Sequence, residues 1–320
     1  MWSAIAGSQP GHVYYRDWVA VLTYHTFDRP DGPITVTRAQ FEDHLRSLKA
    51  AGFNFISAAQ FRAWKQGGGR IPPNAVLLTI DDGWPEVATV AAPILQRHRV
   101  PAVAFVIYGR IDRSPSHMSA EQVKSLPGYG IAVGSHSWDL HRQLGEKAAA
   151  RVLPLDQLLA DADRAGQVHR RLLGERPDMM AYPFGAYGRA FLQSLRDKGI
   201  DFGFTTRPGL VSRGTPDLEI PRINGGERGL SGQELVRRIV YYVRHAGYHI
   251  GGGYYRTRAE AAKAAAYFTR VTGYRMYVAP HPSREDGYWV QTGRTVGYAR
   301  AEAFARQWEP WGLRYIMPAD

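Results

Sequence analysis

Through the first two-thirds of this 320-residue chain, short apolar runs alternate with stretches of helical periodicity, and that alternation leaves few folds open. The spacing predicts strands at Val19–Phe27, Asn54–Ser57, Ala75–Ile80, Ala102–Tyr108, Ile131–Ser137, Met179–Pro183 and Phe202–Arg207. Helices are expected between them at Thr37–Ala51, Ser57–Gln66, Pro85–His98, Leu155–Leu173 and Gly188–Lys198, with a later one from Ser231 to about His245. Thr37 with Gln40, Ser57 with Gln60 and Ser231 with Glu234 spell capping boxes at three of the starts. Strands each followed by a helix or a long loop require a parallel sheet with helices packed outside. The expected class is therefore α/β, a distorted (β/α) barrel of about seven strands. In such a fold the chemistry sits where strands end and loops begin.

Near Gly247 the composition changes. Residues 248–320 hold nine of the eighteen tyrosines and three of the eight tryptophans, and Gly251-Gly252-Gly253 stands close to their start. The stretch then reads twice as aromatic strand, Ala-rich helix and second strand. The copies are Tyr254-Tyr255, Arg258–Thr269 and Tyr274–Ala279, then Tyr288–Thr292, Arg300–Trp308 and Leu313–Met317. Two domains are expected, 1–247 and a small α+β module at 248–320, whose aromatics serve chiefly as its core.

There is no cysteine, which excludes disulfides, thiolate-bound zinc and a thiol nucleophile, so any metal must be held by His and carboxylate. No apolar run is long enough to span a membrane. The net charge of +11 comes from 40 Lys/Arg against 29 Asp/Glu, but without a basic run, so a solvated basic surface is expected and not a nucleic-acid site. The opening residues Met1–Gly7 lack the basic and apolar regions of a signal peptide.

Four segments carry candidate chemistry. In Leu77-Leu78-Thr79-Ile80-Asp81-Asp82-Gly83-Trp84 an apolar strand runs into two adjacent carboxylates, which burial would penalise unless a cation or donors offset it. The alternative is a plain turn capping the helix at Pro85. In Gly134-Ser135-His136-Ser137-Trp138-Asp139-Leu140-His141 two histidines five apart leave another strand end. They can converge on one ion if the loop curls, and with an Asp they form a set suited to zinc or a similar divalent metal. Tyr24-His25-Thr26-Phe27 closes the first strand, where a single histidine reads equally as structural. Tyr182-Pro183-Phe184-Gly185 ends another strand, either as a simple turn or as a rim amide able to donate to a developing oxyanion.

Together these segments resemble the NodB-type polysaccharide deacetylases, carbohydrate esterase family four, over roughly residues 18–225. Thr79-Ile80-Asp81-Asp82-Gly83 resembles the first motif, His136-Ser137 with His141 the second, and Tyr182-Pro183-Phe184-Gly185 the third. The position of His25 ahead of the Asp-Asp pair is similar to the branch that deacetylates poly-β-1,6-N-acetylglucosamine. The resemblance implies that Asp82, His136 and His141 hold one divalent metal, zinc or failing that cobalt or another ion. It implies Asp81 as the general base for the attacking water and His25 as the general acid for the departing amine. The backbone N–H of Phe184 would face the oxyanion. An amide needs a Lewis acid to polarise it, and an amine needs a proton to leave, so separate acid and base fit this chemistry.

The sequence departs from the family in two places. No Arg directly precedes Tyr182, Arg176 being too far away, and the fourth motif, an Asp followed by Trp, is not legible. Arg222 in Pro221-Arg222-Ile223 is expected to orient Asp81 instead, its replacement by Ala lowering turnover with little effect on folding. The tail resembles SPOR-type glycan-binding repeats through its duplication and Tyr288–Gly293. The resemblance thus implies a metal-dependent N-deacetylase of an N-acetylglucosamine polysaccharide, with β-1,6 favoured over peptidoglycan or chitin-type β-1,4 chains. A non-catalytic carbohydrate-binding protein is the alternative. Residues 248–320 are expected to contact cell-wall glycan, and the substrate's location implies an extracellular or cell-surface protein.

Overall fold

The computed structural model describes residues 12–29, 32–245, 247–280, 287–292, 295–296, 298–311, 313 and 315–318. The Met1–Gly7 segment, and residues 293 and 314 within the expected tail elements, lie outside these.

The central sheet is built from β1 (Val19–Tyr24), β2 (Ala75–Ile80), β3 (Ala102–Val106), β4 (Ile131–Ser135), β5 (Met179–Ala181), β6 (Phe202–Phe204) and β7 (Ile223–Asn224). Their order is β6-β5-β4-β3-β2-β1-β7, with every neighbouring pair parallel. β1 and β2 pair along their whole length, from Val19 with Ala75 to Tyr24 with Ile80. Residues 220–224 bring the two ends of the sheet together: Ile220 bridges to Phe204 of β6, and Ile223 and Asn224 pair with Leu22 and Thr23 of β1.

Six of the seven expected strands lie on this path. The remaining one, around Asn54–Phe55, pairs only with the start of β2 and lies off it. β7 takes the seventh place; two residues after Pro221-Arg222 carry too little pattern to be read as a strand.

Alternation sorts the side chains. Val19 and Val21, Ala75 and Leu77, Val103 and Phe105, Met179 and Ala181, and Phe202 and Phe204 pack into one buried cluster inside the curve. Ala20 and Leu22, Val76, Leu78 and Ile80, and Ala102 and Ala104 belong to a second cluster under the surrounding helices. Both faces are therefore buried, which is why the strands read as unbroken apolar runs. Each fully buried large apolar side chain contributes about 1.5–3 kcal/mol. The period of two also places Thr79 and Asp81 above Ala75 and Leu77 on the inward face.

The helices outside include α1 (Arg38–Ala50), α2 (Ala58–Lys65), α3 (Ala92–Arg97), α4 (Leu155–Leu173) and α5 (Gly232–His245). Ser57 with Gln60 and Ser231 with Glu234 form reciprocal capping boxes. Thr37 caps Gln40 N–H, but the Gln40 amide turns away to the carbonyls of Glu227 and Leu230, tying α1 to the segment before α5. The expected helix over Pro85–His98 opens with a π turn at Val87–Ala91, in which Ala92 N–H reaches Val87 C=O. Pro93, which has no N–H to give, follows at once.

From Gly247 a second, antiparallel sheet begins. It contains β8 (Gly247–Tyr255), β9 (Met276–Pro280), β10 (Tyr288–Thr292), β11 (Thr295–Val296) and β12 (Tyr315–Pro318), with α6 (Arg258–Thr272) and α7 (Tyr298–Trp308) between strands. Order β9-β10-β8, with β12 on the other edge of β8 and β11 also beside it, makes a split β-α-β pair. Gly251 is required here, because a Cβ would lie 2.6 Å from the Trp289 ring packed against it.

Candidate metal centre and active site

Asp81, Asp82, His25, His136, His141 and Phe184 lie at or beyond the ends of strands on one rim, and Arg222 just ahead of β7. β2 ends at Ile80, and Asp81 donates its N–H to Tyr24 C=O at 2.9 Å, which sets His25, the next residue of the β1 segment, beside it. Asp82 then turns into the left-handed region at φ 72° and Gly83 follows at φ 77°. Ser137 (φ 72°) and Phe184 (φ 58°) do the same after β4 and β5. Three non-glycine residues held in this costly conformation at one rim mark a site whose geometry is imposed by its surroundings.

Asp82, His136 and His141 each offer one ligand atom, and these atoms lie within 4.8 Å of one another. Asp82 Oδ1 is 3.1 Å from His141 Nε2 and 3.3 Å from His136 Nε2, yet it is buried with no hydrogen-bond partner. His136 Nδ1 sits 2.7 Å from Ala181 C=O, so that nitrogen donates and Nε2 keeps its lone pair toward Asp82. The other carboxylate oxygen, Oδ2, accepts from Trp84 Nε1 at 3.0 Å. Burial pushes the Asp82 carboxyl up, but the two imidazoles outweigh it and hold the group well below its usual range. An ionised carboxylate and two imidazoles, gathered around a buried, unbonded oxygen, are the donor set of a divalent cation. The trio could hold such an ion.

Asp81, one residue earlier, has a different partner. Its two oxygens accept from Arg222 Nη1 and Nη2, both at 2.7 Å, with the two side chains only 1% and 3% exposed. The guanidinium is itself fixed by Nε donating to Thr205 C=O (2.9 Å) and Nη1 to Thr79 Oγ1 (3.3 Å). Burial raises the Asp81 carboxyl, but Arg222, His136 and His25 together more than compensate, and the group lies below its ordinary value. Arg176, by contrast, donates to Lys198 C=O and approaches Asp163, and takes no part in the site.

His25 is half-buried, and its Nδ1, itself shielded from solvent, has no hydrogen-bond partner. Burial lowers it below the ordinary imidazole value, against the pull of Asp81 and Asp82. Phe184 is the middle residue of a single 3-10 turn, Pro183–Gly185; its half-exposed ring packs on the His141 imidazole at 4.4 Å between centroids. The structure therefore brings Asp81, Asp82, His136, His141, His25, Phe184 and Arg222 to one mouth.

Sequence reasoning had no signal for two supports of this mouth. Asp161 on α4 accepts the backbone N–H groups of Trp138 (2.8 Å) and Asp139 (2.7 Å), inside the loop between the two histidines. Arg110 donates to His141 C=O at 2.8 Å. Both act on backbone groups, which have no residue type to betray them.

The polysaccharide deacetylase family matches residues 68–203, the stretch that contains Asp81, Asp82, His136, His141 and Phe184. Over these residues the chain is similar to the polysaccharide deacetylase family. The chain is 26% identical over 211 residues to YxkH of Bacillus subtilis strain 168, covering 65% of this chain and 72% of that protein. It is 24% identical over 196 residues to the poly-β-1,6-N-acetyl-D-glucosamine N-deacetylase of Staphylococcus aureus strain MSSA476, covering 59% and 67%. The structure of IcaB from Ammonifex degensii superposes with a TM-score of 0.63 at 26% identity, covering 71% of this chain and 98% of that one. No helix among the described residues is long and apolar enough to cross a membrane.

Proposed function

We propose that this protein removes N-acetyl groups from a polymer of N-acetylglucosamine, poly-β-1,6-N-acetylglucosamine in particular, releasing acetate. The observation that carries the reading is the convergence of Asp82, His136 and His141 on one point beside the Arg222-locked carboxylate of Asp81. Asp82, His136 and His141 would hold a divalent ion such as zinc or cobalt, which when bound would supply Lewis acidity toward the amide carbonyl and make water more acidic. Asp81, ionised and oriented by the guanidinium fork, takes the proton of the attacking water. As the water oxygen bonds to the carbonyl carbon, negative charge grows on the carbonyl oxygen, and the Phe184 N–H donates to it. The C–N bond then breaks, and His25 delivers a proton to the departing amine. Because burial weakens its hold on that proton, His25 in its protonated form is a stronger acid than free imidazole.

The β-1,6 polymer is favoured by the relative in Staphylococcus aureus and by His25 standing ahead of the Asp-Asp pair. In the same reading the polymer lies outside the cell, where the chain acts, and residues 248–320 hold glycan through exposed rings such as Tyr254 and Tyr277.

The test is acetate release from β-1,6- and β-1,4-linked N-acetylglucosamine oligomers, using protein stripped of metal and then resupplied with zinc or cobalt. Metal-dependent release from the β-1,6 series is expected. Release from β-1,4 oligomers only would move the substrate to chitin or peptidoglycan, and no release from either by metal-loaded protein would leave a carbohydrate-binding protein.

A further inference from the structure

We propose that Asp161 is a positioning residue for the metal centre, acting through His141. The inference rests on reading Asp82, His136 and His141 as a metal site. The three ligands are not anchored alike. Asp82 follows directly from β2, and His136 follows β4 with its N–H bonded to Val106 C=O, so both inherit their places from the sheet. His141 stands five residues further on, at the far end of a loop with no strand or helix of its own, and is the most exposed of the three at 22% of its side chain.

What holds that loop can be accounted for group by group. Ser137 and Trp138 give their carbonyls to the N–H groups of Tyr108 and Gly109. Ser137 gives its N–H to Ser135 Oγ at 3.1 Å, and Leu140 gives its N–H to Ser137 Oγ at 2.9 Å. The two remaining N–H groups in the middle, of Trp138 and Asp139, both point to the carboxylate of Asp161, which is 8% exposed. Leu140 is buried against the same helix, in the cluster that contains Leu158. Asp161 is thus the acceptor that bends the chain between the two histidines and delivers His141 to Asp82. An amide in its place offers one acceptor and one donor, so one loop N–H would lose its partner and face a second N–H.

Zinc affinity of the purified full chain, measured by competition with a chromophoric chelator, tests this without reference to catalysis. Asp161→Asn should weaken zinc binding by about 10–100-fold, the usual effect of losing a group that orients a ligand. Asp139→Asn, whose side chain is exposed on the same loop, should leave it unchanged. The decisive comparison is the cycle with His141→Ala. If Asp161 works through His141, adding Asp161→Asn to His141→Ala costs no further affinity. All affinities are taken well below the melting temperature of each metal-free variant, so a purely structural role would lower that temperature and leave affinity intact. Should Asp161→Asn not fold, Asp161→Glu, with its longer stem, is expected to show the same loss. Unchanged affinity, or additive losses in the cycle, would overturn the inference. Wild-type protein that binds no zinc would overturn the metal reading itself.

Discussion

Replacing Arg222 by Ala separates the two things this side chain does. The guanidinium and the Asp81 carboxylate share two hydrogen bonds of 2.7 Å with almost no solvent contact. Removing one partner of such a pair leaves a buried charge unmatched and costs about 3–5 kcal/mol. That is a large share of the 5–15 kcal/mol, roughly, that holds a domain folded. The sequence alone suggested little effect on folding, because it cannot show that the pair is sealed in the sheet's mouth. Asp81 also answers the change. Without Arg222, burial drives its carboxyl upward, so a larger share is protonated near neutrality and cannot accept a proton. Turnover should fall by about 10²–10⁴-fold, the contribution of a positioned base. Urea denaturation of metal-free protein and acetate release give the two numbers. Arg222→Lys, which keeps the charge but not the fork, should recover part of the stability and little of the turnover. Pairing Arg222→Met with Asp81→Leu should restore stability in an inactive protein, since an apolar pair has no charge to bury. An Arg222→Ala protein with wild-type denaturation midpoint and turnover would refute the reasoning.

Two further outcomes follow from burial elsewhere. His169 on α4 is 2% exposed, bonded to Tyr108 Oη, and lowered by burial to about 4. Its folded value lies below the unfolded one, near 6.5, so the unfolded state binds more protons between those limits and stability falls as pH drops through that window. The full difference is about 3 kcal/mol, and denaturation midpoints at pH 7 and pH 4.5 should diverge less in His169→Gln than in wild type; parallel losses would argue against it. Gly134 in β4 is covered by Phe105, and a Cβ there would meet the ring at 2.6 Å and Met179 C=O at 3.0 Å. Gly134→Ala should therefore cost about 1–3 kcal/mol and, two residues before His136, reduce turnover as well; calorimetry showing an unchanged melting temperature would contradict the packing.

Much of the site was legible because its residues belong to strand ends, and strand ends can be read. Apolar runs that stop at Asp81, His136 or Tyr182 announce where a parallel sheet opens to solvent, and residue type does the rest. Arg222 was reachable only as the partner that Asp81 ought to have. The short β7 beside it escaped notice because two residues after a proline carry no periodicity.

The amino-acid sequence by itself determined the alternation of strand and helix, the second sheet after Gly247, and which residue types meet at the rim. Those follow from local spacing, since period and turn chemistry act over a few neighbours. Only the tertiary structure decided that residues 220–224 bring the sheet's two ends together, that Arg222 lies in a fork over Asp81, and that Asp161 bends the histidine loop. These contacts join positions far apart along the chain, and two of the three involve backbone groups that every residue has. No pattern of side chains can encode a partner that has no side chain of its own.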